Sequence, residues 1–91
     1  MPRWQADIRV ALRPGIADPE GTTVGDALRA LGYGTVGAVR FGKVISVEFG
    51  AADAAEAEEL VGDMCRRLLA NPVMELAAWD VRPALAAEVG S

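Results

Sequence analysis

The sequence predicts an α+β fold of order β-α-β-β-α-β. Three observations carry that reading: strict apolar–polar alternation from Asp7 to Leu12, two stretches with helical spacing, and Gly or Pro at most boundaries between elements. Two β-α-β halves in this order form an antiparallel sheet with both helices on one face, the ferredoxin-like split βαβ arrangement. A chain of 91 residues is long enough for a single domain over 1–91, with a core from 7 to 81 and a C-terminal tail from 82 to 91.

In the first strand, Ile8, Val10 and Leu12 fall on one side and Asp7, Arg9 and Ala11 on the other, the mark of a half-buried strand. The run from Arg13 to Gly21 holds Pro14, Gly15, Pro19 and Gly21, which forbid regular structure through most of it. From Pro19 or Thr22 onward the spacing of Val24, Ala27, Leu28 and Leu31 defines one helical face, and Gly32 sits where a left-handed residue ends a helix. Val36 to Phe41 and Val44 to Phe49 read as two strands joined at Gly42-Lys43. A two-residue loop would pair Phe41 with Val44 and set Val39 beside Ser46. Aligning Val39 and Phe41 with Ile45, Val47 and Phe49 instead requires an odd offset, hence a three-residue loop or a Gly bulge.

Asp53 and Glu56 have the spacing of a capping box, and Ala57, Leu60, Val61, Met64 and Leu68 follow on one face of a helix that stops near Ala70-Asn71-Pro72. The last strand, Val73 to Val81, places Ala77, Trp79 and Val81 on one face and Met74 and Leu76 on the other. Apolar residues on both faces predict that another chain covers part of it. The 52% hydrophobic content points the same way, since one thin core hides only part of such a surface, although an Ala-rich ordinary core also accounts for it.

Composition excludes several function classes. The net charge is −4, and the one adjacent basic pair, Arg66-Arg67, lies among Glu56, Glu58, Glu59 and Asp63, so no phosphate-neutralising patch exists. Five aromatic residues are too few for base-stacking platforms, and no nucleic-acid partner is expected. Histidine is absent, which removes the commonest general base and metal ligand. Cys65 is the sole cysteine, at a helical position that suits a buried thiol. The start of the chain has no apolar signal region and no apolar run reaches ~18 residues, so a cytoplasmic protein without a membrane partner is expected.

Three local patterns have plainer readings than chemistry. Gly32-Tyr33-Gly34-Thr35-Val36-Gly37 spells GxGxxG, but it follows a helix and precedes a strand, so it offers no helix N-terminus to a pyrophosphate. Asp18, Glu20 and Asp26 suit a helix start, where carboxylates cap free amides and complement the dipole. Lys43, the single lysine, sits at the expected hairpin tip, solvated or in contact with a partner. No catalytic, cofactor-binding or metal-binding set emerges from this chain.

The segment least explained by fold alone is Leu12-Arg13-Pro14-Gly15-Ile16-Ala17-Asp18-Pro19-Glu20-Gly21. Together with Ala27-Leu28, Leu31-Gly32-Tyr33, Val39-Arg40-Phe41-Gly42-Lys43 and Leu69-Ala70-Asn71-Pro72-Val73, it resembles the PurS family, small subunits of phosphoribosylformylglycinamidine synthase, from about residue 7 to 81. The resemblance implies a non-catalytic subunit in de novo purine biosynthesis. It would assemble a synthetase subunit, which binds ATP and Mg, with a glutaminase subunit. It would also support ammonia transfer as formylglycinamide ribonucleotide, ATP and glutamine become the formylglycinamidine, ADP, phosphate and glutamate. It implies a homodimer or homotetramer, no cofactor on this chain, and a partner interface at Arg13, Pro14, Gly15, Asp18, Pro19, Gly21, Arg40, Gly42 and Lys43. Met74 and Leu76 are the expected self-association residues. The stretch Met74 to Asp80 is more apolar than the family pattern. The alternative is a small-molecule regulatory module of the ACT type, which shares the element order and binds amino acids at a Gly-containing loop.

Overall fold

The computed structural model describes residues 1–84. Strands β1 (Arg3–Leu12), β2 (Gly42–Gly50) and β3 (Glu75–Pro83) form an antiparallel sheet in the order β2-β1-β3, with β1 at its centre. Helix α1 (Pro19–Ala30) follows β1, and helix α2 (Ala54–Met64) follows β2. The α+β, ferredoxin-like class therefore holds, with three strands among the described residues.

Alternation along β1 works as the sequence predicts. Ala6, Ile8 and Val10 are buried on the inner face, where Ile8 lies between Ile45 and Trp79 and Ala6 between Val47 and Val81. Helix α2 closes this face with Ala57 and Val61, and Cys65 just beyond it is buried too. The outer face carries Arg3–Glu48, Arg9–Asp80 and Arg82–Asp7 ion pairs at 3.1, 2.9 and 2.9 Å. Exposed pairs of this kind contribute little to stability, but they reinforce the register of three strands. Strands β1 and β3 both extend past the expected core. β1 begins at Arg3, where Trp4 Nε1 donates to the Ala51 carbonyl at 3.1 Å, and β3 runs to Pro83. The tail beyond residue 84 lies outside the described residues.

The expected strand from Val36 to Phe41 does not form, so neither does the hairpin at Gly42-Lys43. This segment runs back along α1, and side chains serve its backbone groups: Arg29 donates to the carbonyls of Val36 and Gly37 at 3.1 and 3.2 Å. β2 pairs with β1 instead, and Ile45, Val47 and Phe49 still share one face, now opposite Ile8, Ala6 and Trp4. Gly42 opens β2 opposite Ala11, and a Cβ there would stand 2.8 Å from the Val10 carbonyl oxygen. A second departure concerns the helices. α2 packs against the sheet, whereas α1 makes no extensive contact with any strand.

The helix ends follow their caps. Asp53 Oδ1 accepts from the Glu56 N–H at 2.9 Å, and Glu56 Oε1 accepts from the Ala52 N–H at 2.9 Å, one residue before the usual reciprocal partner. Gly32, at φ +107, ends α1. Its N–H donates to Arg29 O and the Tyr33 N–H to Leu28 O, the paired bonds of a Schellman motif. The GxGxxG run is thus a helix C-terminus followed by a turn. α2 is shorter than expected because it passes into one π-helical turn, Cys65–Leu69, closed by Ala70 N–H donating to Cys65 O. The extra residue in that turn rotates the face, so Leu68, expected in the core, is 83% exposed, and Leu69 is half-buried instead.

Candidate functional site

The predicted interface residues converge on the junction between β1, α1 and the segment entering β2. Arg13 opens a turn in which Ile16 N–H donates to Arg13 O at 3.1 Å. Pro14 and Gly15 are its central residues, and Gly15 has φ +87, so the pair supplies the fixed φ and the positive φ that a type II turn needs. The Arg13 side chain reaches back to β3's approach, with Nε and Nη2 donating to Pro72 O at 3.2 and 2.9 Å, while its N–H donates to Met74 O at 2.8 Å.

Asp18 is the centre of the junction. It is the N-cap of α1, and Pro19 occupies the first helical position, where a missing N–H costs nothing. Its Oδ1 accepts from Gly21 N–H at 2.9 Å and its Oδ2 from Phe41 N–H at 2.7 Å. Those two backbone donors, with the charge of Arg40, hold its carboxyl below the ordinary carboxylate range, so it is ionised at neutral pH. Arg40 adds a second tie, donating through Nη1 to Ile16 O at 2.9 Å and through Nη2 to Arg13 O at 3.2 Å.

Gly21 is required by a close approach. A Cβ there would lie 2.0 Å from the Val39 carbonyl oxygen, and one at Gly25, a turn later, 3.4 Å from Val39 Cγ2. These two glycines, four apart, let residues 36–41 lie flat against α1. Sequence reading missed that role because Val39 and Phe41 carry a β pattern. The usable signals were the Gly21–Gly25 spacing and Arg29, whose guanidinium also pairs with Asp26 Oδ1 at 2.7 Å.

Arg13, Asp18, Pro19, Gly21, Arg40 and Gly42 are thus spent on internal geometry. Gly15, at the apex of the turn, has nothing within 4 Å of the position its Cβ would take, and Lys43 is exposed beside Val10. An open cavity of about 340 Å³ lies beneath, lined by Leu12, Asp18, Glu20, Phe41, Lys43 and Glu75 among others. Met74 and Leu76 lie elsewhere, 43% and 47% exposed where β3 begins. Cys65 is buried, and burial pushes its thiol up, which leaves the weakly nucleophilic protonated form. Among the described residues no three His, Cys, Asp or Glu side chains group as metal ligands, and no helix is long and apolar enough to cross a membrane.

Three comparisons bear on this geometry. A family model described as PurS, phosphoribosylformylglycinamidine (FGAM) synthase, matches residues 5–83. A phosphoribosylformylglycinamidine synthase subunit PurS from Synechocystis is 43% identical over 78 residues, covering 86% of this chain and 78% of that protein. Among solved structures, Thermus thermophilus PurS superposes with a TM-score of 0.80 at 42% identity, over 92% of this chain and all (100%) of the other. A chain of the PurLQS structure from Thermotoga maritima gives 0.77 at 36% identity, over 92% and 100%.

Proposed function

This chain belongs to the PurS family, and from that premise we propose that it assembles the synthetase and glutaminase subunits of FGAM synthase and supports ammonia passage between them. It is a PurS subunit of that ligase of purine biosynthesis, alongside the other subunits of a PurLQS complex. The observation that carries the assembly reading is the use of the family-matching residues: Asp18, Gly21 and Arg40 fix backbone, and leave Gly15 and Lys43 outward on a rigid base. Such a base suits docking, because a preformed loop loses little entropy on binding.

In this reading the chain carries no catalytic group of its own, and ATP and Mg belong to the synthetase subunit. The chain works in the cytoplasm as a homodimer or homotetramer. Met74 and Leu76, exposed where β3 begins, are self-contact residues. The test is co-elution of the purified chain with the synthetase and glutaminase subunits, together with glutamine-dependent turnover of the mixture. Failure of the three to form a complex under turnover conditions overturns the reading.

A further inference from the structure

An open cavity of about 240 Å³ lies between the end of α2, its π turn and the start of β3. Cys65, Ala70 and Ala77 give it an apolar floor. Cys65 keeps its proton because burial raises its pKa, so it adds no charge there. Trp79 forms one side, its indole fixed by Nε1 donating to Glu58 Oε2 at 2.9 Å.

Two exposed guanidinium groups line the same cavity, and both are already held. Arg13 donates through Nε and Nη2 to Pro72 O, which leaves its Nη1 for a ligand. Arg66 donates through Nη2 to Asp63 Oδ1, and its Nη1 lies over Gly62. A Cβ on Gly62 would stand 3.2 Å from Arg66 Nη1 and 3.7 Å from Trp79 Cζ2, so the missing side chain lets a cation and an aromatic ring meet at one mouth. Among the described residues of the lining Glu75 is the one carboxylate, and its Oε1 accepts from Asn71 N–H at 2.8 Å. Two cations against one anion reverse the balance of the whole chain, whose net charge is −4.

We propose that this cavity binds a small molecule built from one flat apolar ring and one anionic group, a carboxylate or a phosphate. The ring lies on the apolar floor beside Trp79, and the anion meets Arg13 and Arg66. This inference goes beyond the assembly reading and does not rest on it, since neither Gly15 nor Lys43 takes part.

The chemistry of the lining selects that class. Planar guanidinium N–H forks match carboxylate and phosphate oxygens, and groups anchored in advance lose little freedom on binding. A neutral ligand would leave both cations unmatched, and a cation would be repelled. Drug-sized ligands fill about 300–1,000 Å³, so this smaller cavity suits a molecule on the order of a single substituted ring. The π turn is an independent pointer: such turns recur at functional sites, and this one supplies both Cys65 and Arg66.

The experiment titrates the full, ¹⁵N-labelled chain and follows its two indole N–H resonances, from Trp4 and Trp79. Trp4, paired with Phe49 and Pro83 at the far end of the sheet, is the internal control, and Trp4→Phe assigns the two signals. The probes are benzoate, phenyl phosphate, benzamide and inorganic phosphate. At least one of the two aromatic anions should move the Trp79 signal alone, with a Kd of about 1 mM or tighter. Whichever binds more tightly identifies the anionic group. Benzamide and inorganic phosphate, each lacking one half of the ligand, should bind at least about 10-fold more weakly. Arg66→Gln removes one cation, and Gly62→Ala fills the mouth without altering charge. Each should weaken binding by about 10-fold, while both variants stay folded, because the Arg66–Asp63 pair is exposed and Ala suits a helix better than Gly. Overturning results are the absence of binding at Trp79 by either aromatic anion, equal binding of benzamide, or affinity unchanged in both variants. Co-elution with the other subunits is unaffected by any of these outcomes and tests the assembly reading separately.

Discussion

The Asp18 carboxylate accepts a 2.7 Å hydrogen bond from the Phe41 N–H, 23 residues further along, while capping α1 through Gly21 N–H. One side chain therefore ties the start of α1 to the entrance of β2. The same residue that signals a helix start in the sequence also anchors the segment entering β2 against that helix.

Stability at low pH should report this tie. The folded-state pKa of Asp18 is depressed, first by the Phe41 N–H, then by Gly21 N–H and Arg40, and that of Asp7 by its bonds to Arg82 and Ser46. A depressed carboxyl stabilises the fold fully above its unfolded value of about 3.9, and the contribution is lost as pH falls through the folded value. Urea midpoints measured from pH 6 down to pH 2 should fall most steeply below about pH 4. Asp18→Asn should lower the midpoint at pH 6 and flatten that fall. An unchanged slope would mean that the carboxylate charge does not matter to the junction.

Gly21→Ala tests the close approach directly. Its Cβ would sit 2.0 Å from the Val39 carbonyl oxygen, a backbone atom that cannot rotate away. Residues 36–41 must move away from α1 to admit the methyl group, at a cost of about 1–3 kcal/mol typical of overpacking. Gly34→Ala is the control, since nothing lies within 4 Å of its Cβ position. Thermal melts should separate the two variants clearly.

Alternation and caps made much of the fold legible in the sequence. Ile8 and Val10, the Asp53–Glu56 pair, Gly32 and the Asp18-Pro19 start all behave as their local chemistry requires. Val36 to Phe41 was not legible, because strand pattern fixes which residues are apolar but not which backbone they pair with. Arg29 and Asp18 satisfy that segment's backbone groups, and such long-range side-chain ties leave no periodicity. Leu68 was misplaced for a different reason: one extra residue in the π turn shifts every later position on the helix face. At the candidate site the sequence named the participants but not their division of labour. Nothing in the pattern distinguishes Gly21, needed for contact with Val39, from Gly15, left at an open apex.

Catalysis by the isolated chain can be assayed outright. The purified protein should release no ammonia from glutamine and no phosphate from ATP above background, since its one thiol, Cys65, is buried and held protonated by that burial. Cys65→Ser should give the same background. A glutaminase rate that vanished in Cys65→Ser would identify the thiol as a nucleophile and end the non-catalytic reading.

Docking and folding can be separated at Gly15 and Lys43. Gly15 has a positive φ, so Gly15→Asp costs about 1–2 kcal/mol in backbone conformation, yet the new side chain meets nothing within 4 Å. Lys43 is exposed at the first position after Gly42, and Lys43→Glu reverses a charge on which the packed core does not depend. Both variants should melt cooperatively and keep the oligomeric state of the wild type. If the loop apex and Lys43 contact the other subunits, both should lower glutamine-dependent turnover of the reconstituted enzyme by about 10-fold or more, the equivalent of 1.4 kcal/mol or more of lost binding when the subunit is limiting. Turnover of the synthetase subunit with added ammonium chloride should stay unchanged, because that route needs no transfer between subunits. Raising the variant's concentration should then restore glutamine-dependent turnover, which a misfolded subunit would not do. Full activity of both variants at limiting concentration would show that the loop and Lys43 only connect elements of the fold, and would move the docking surface elsewhere on the chain.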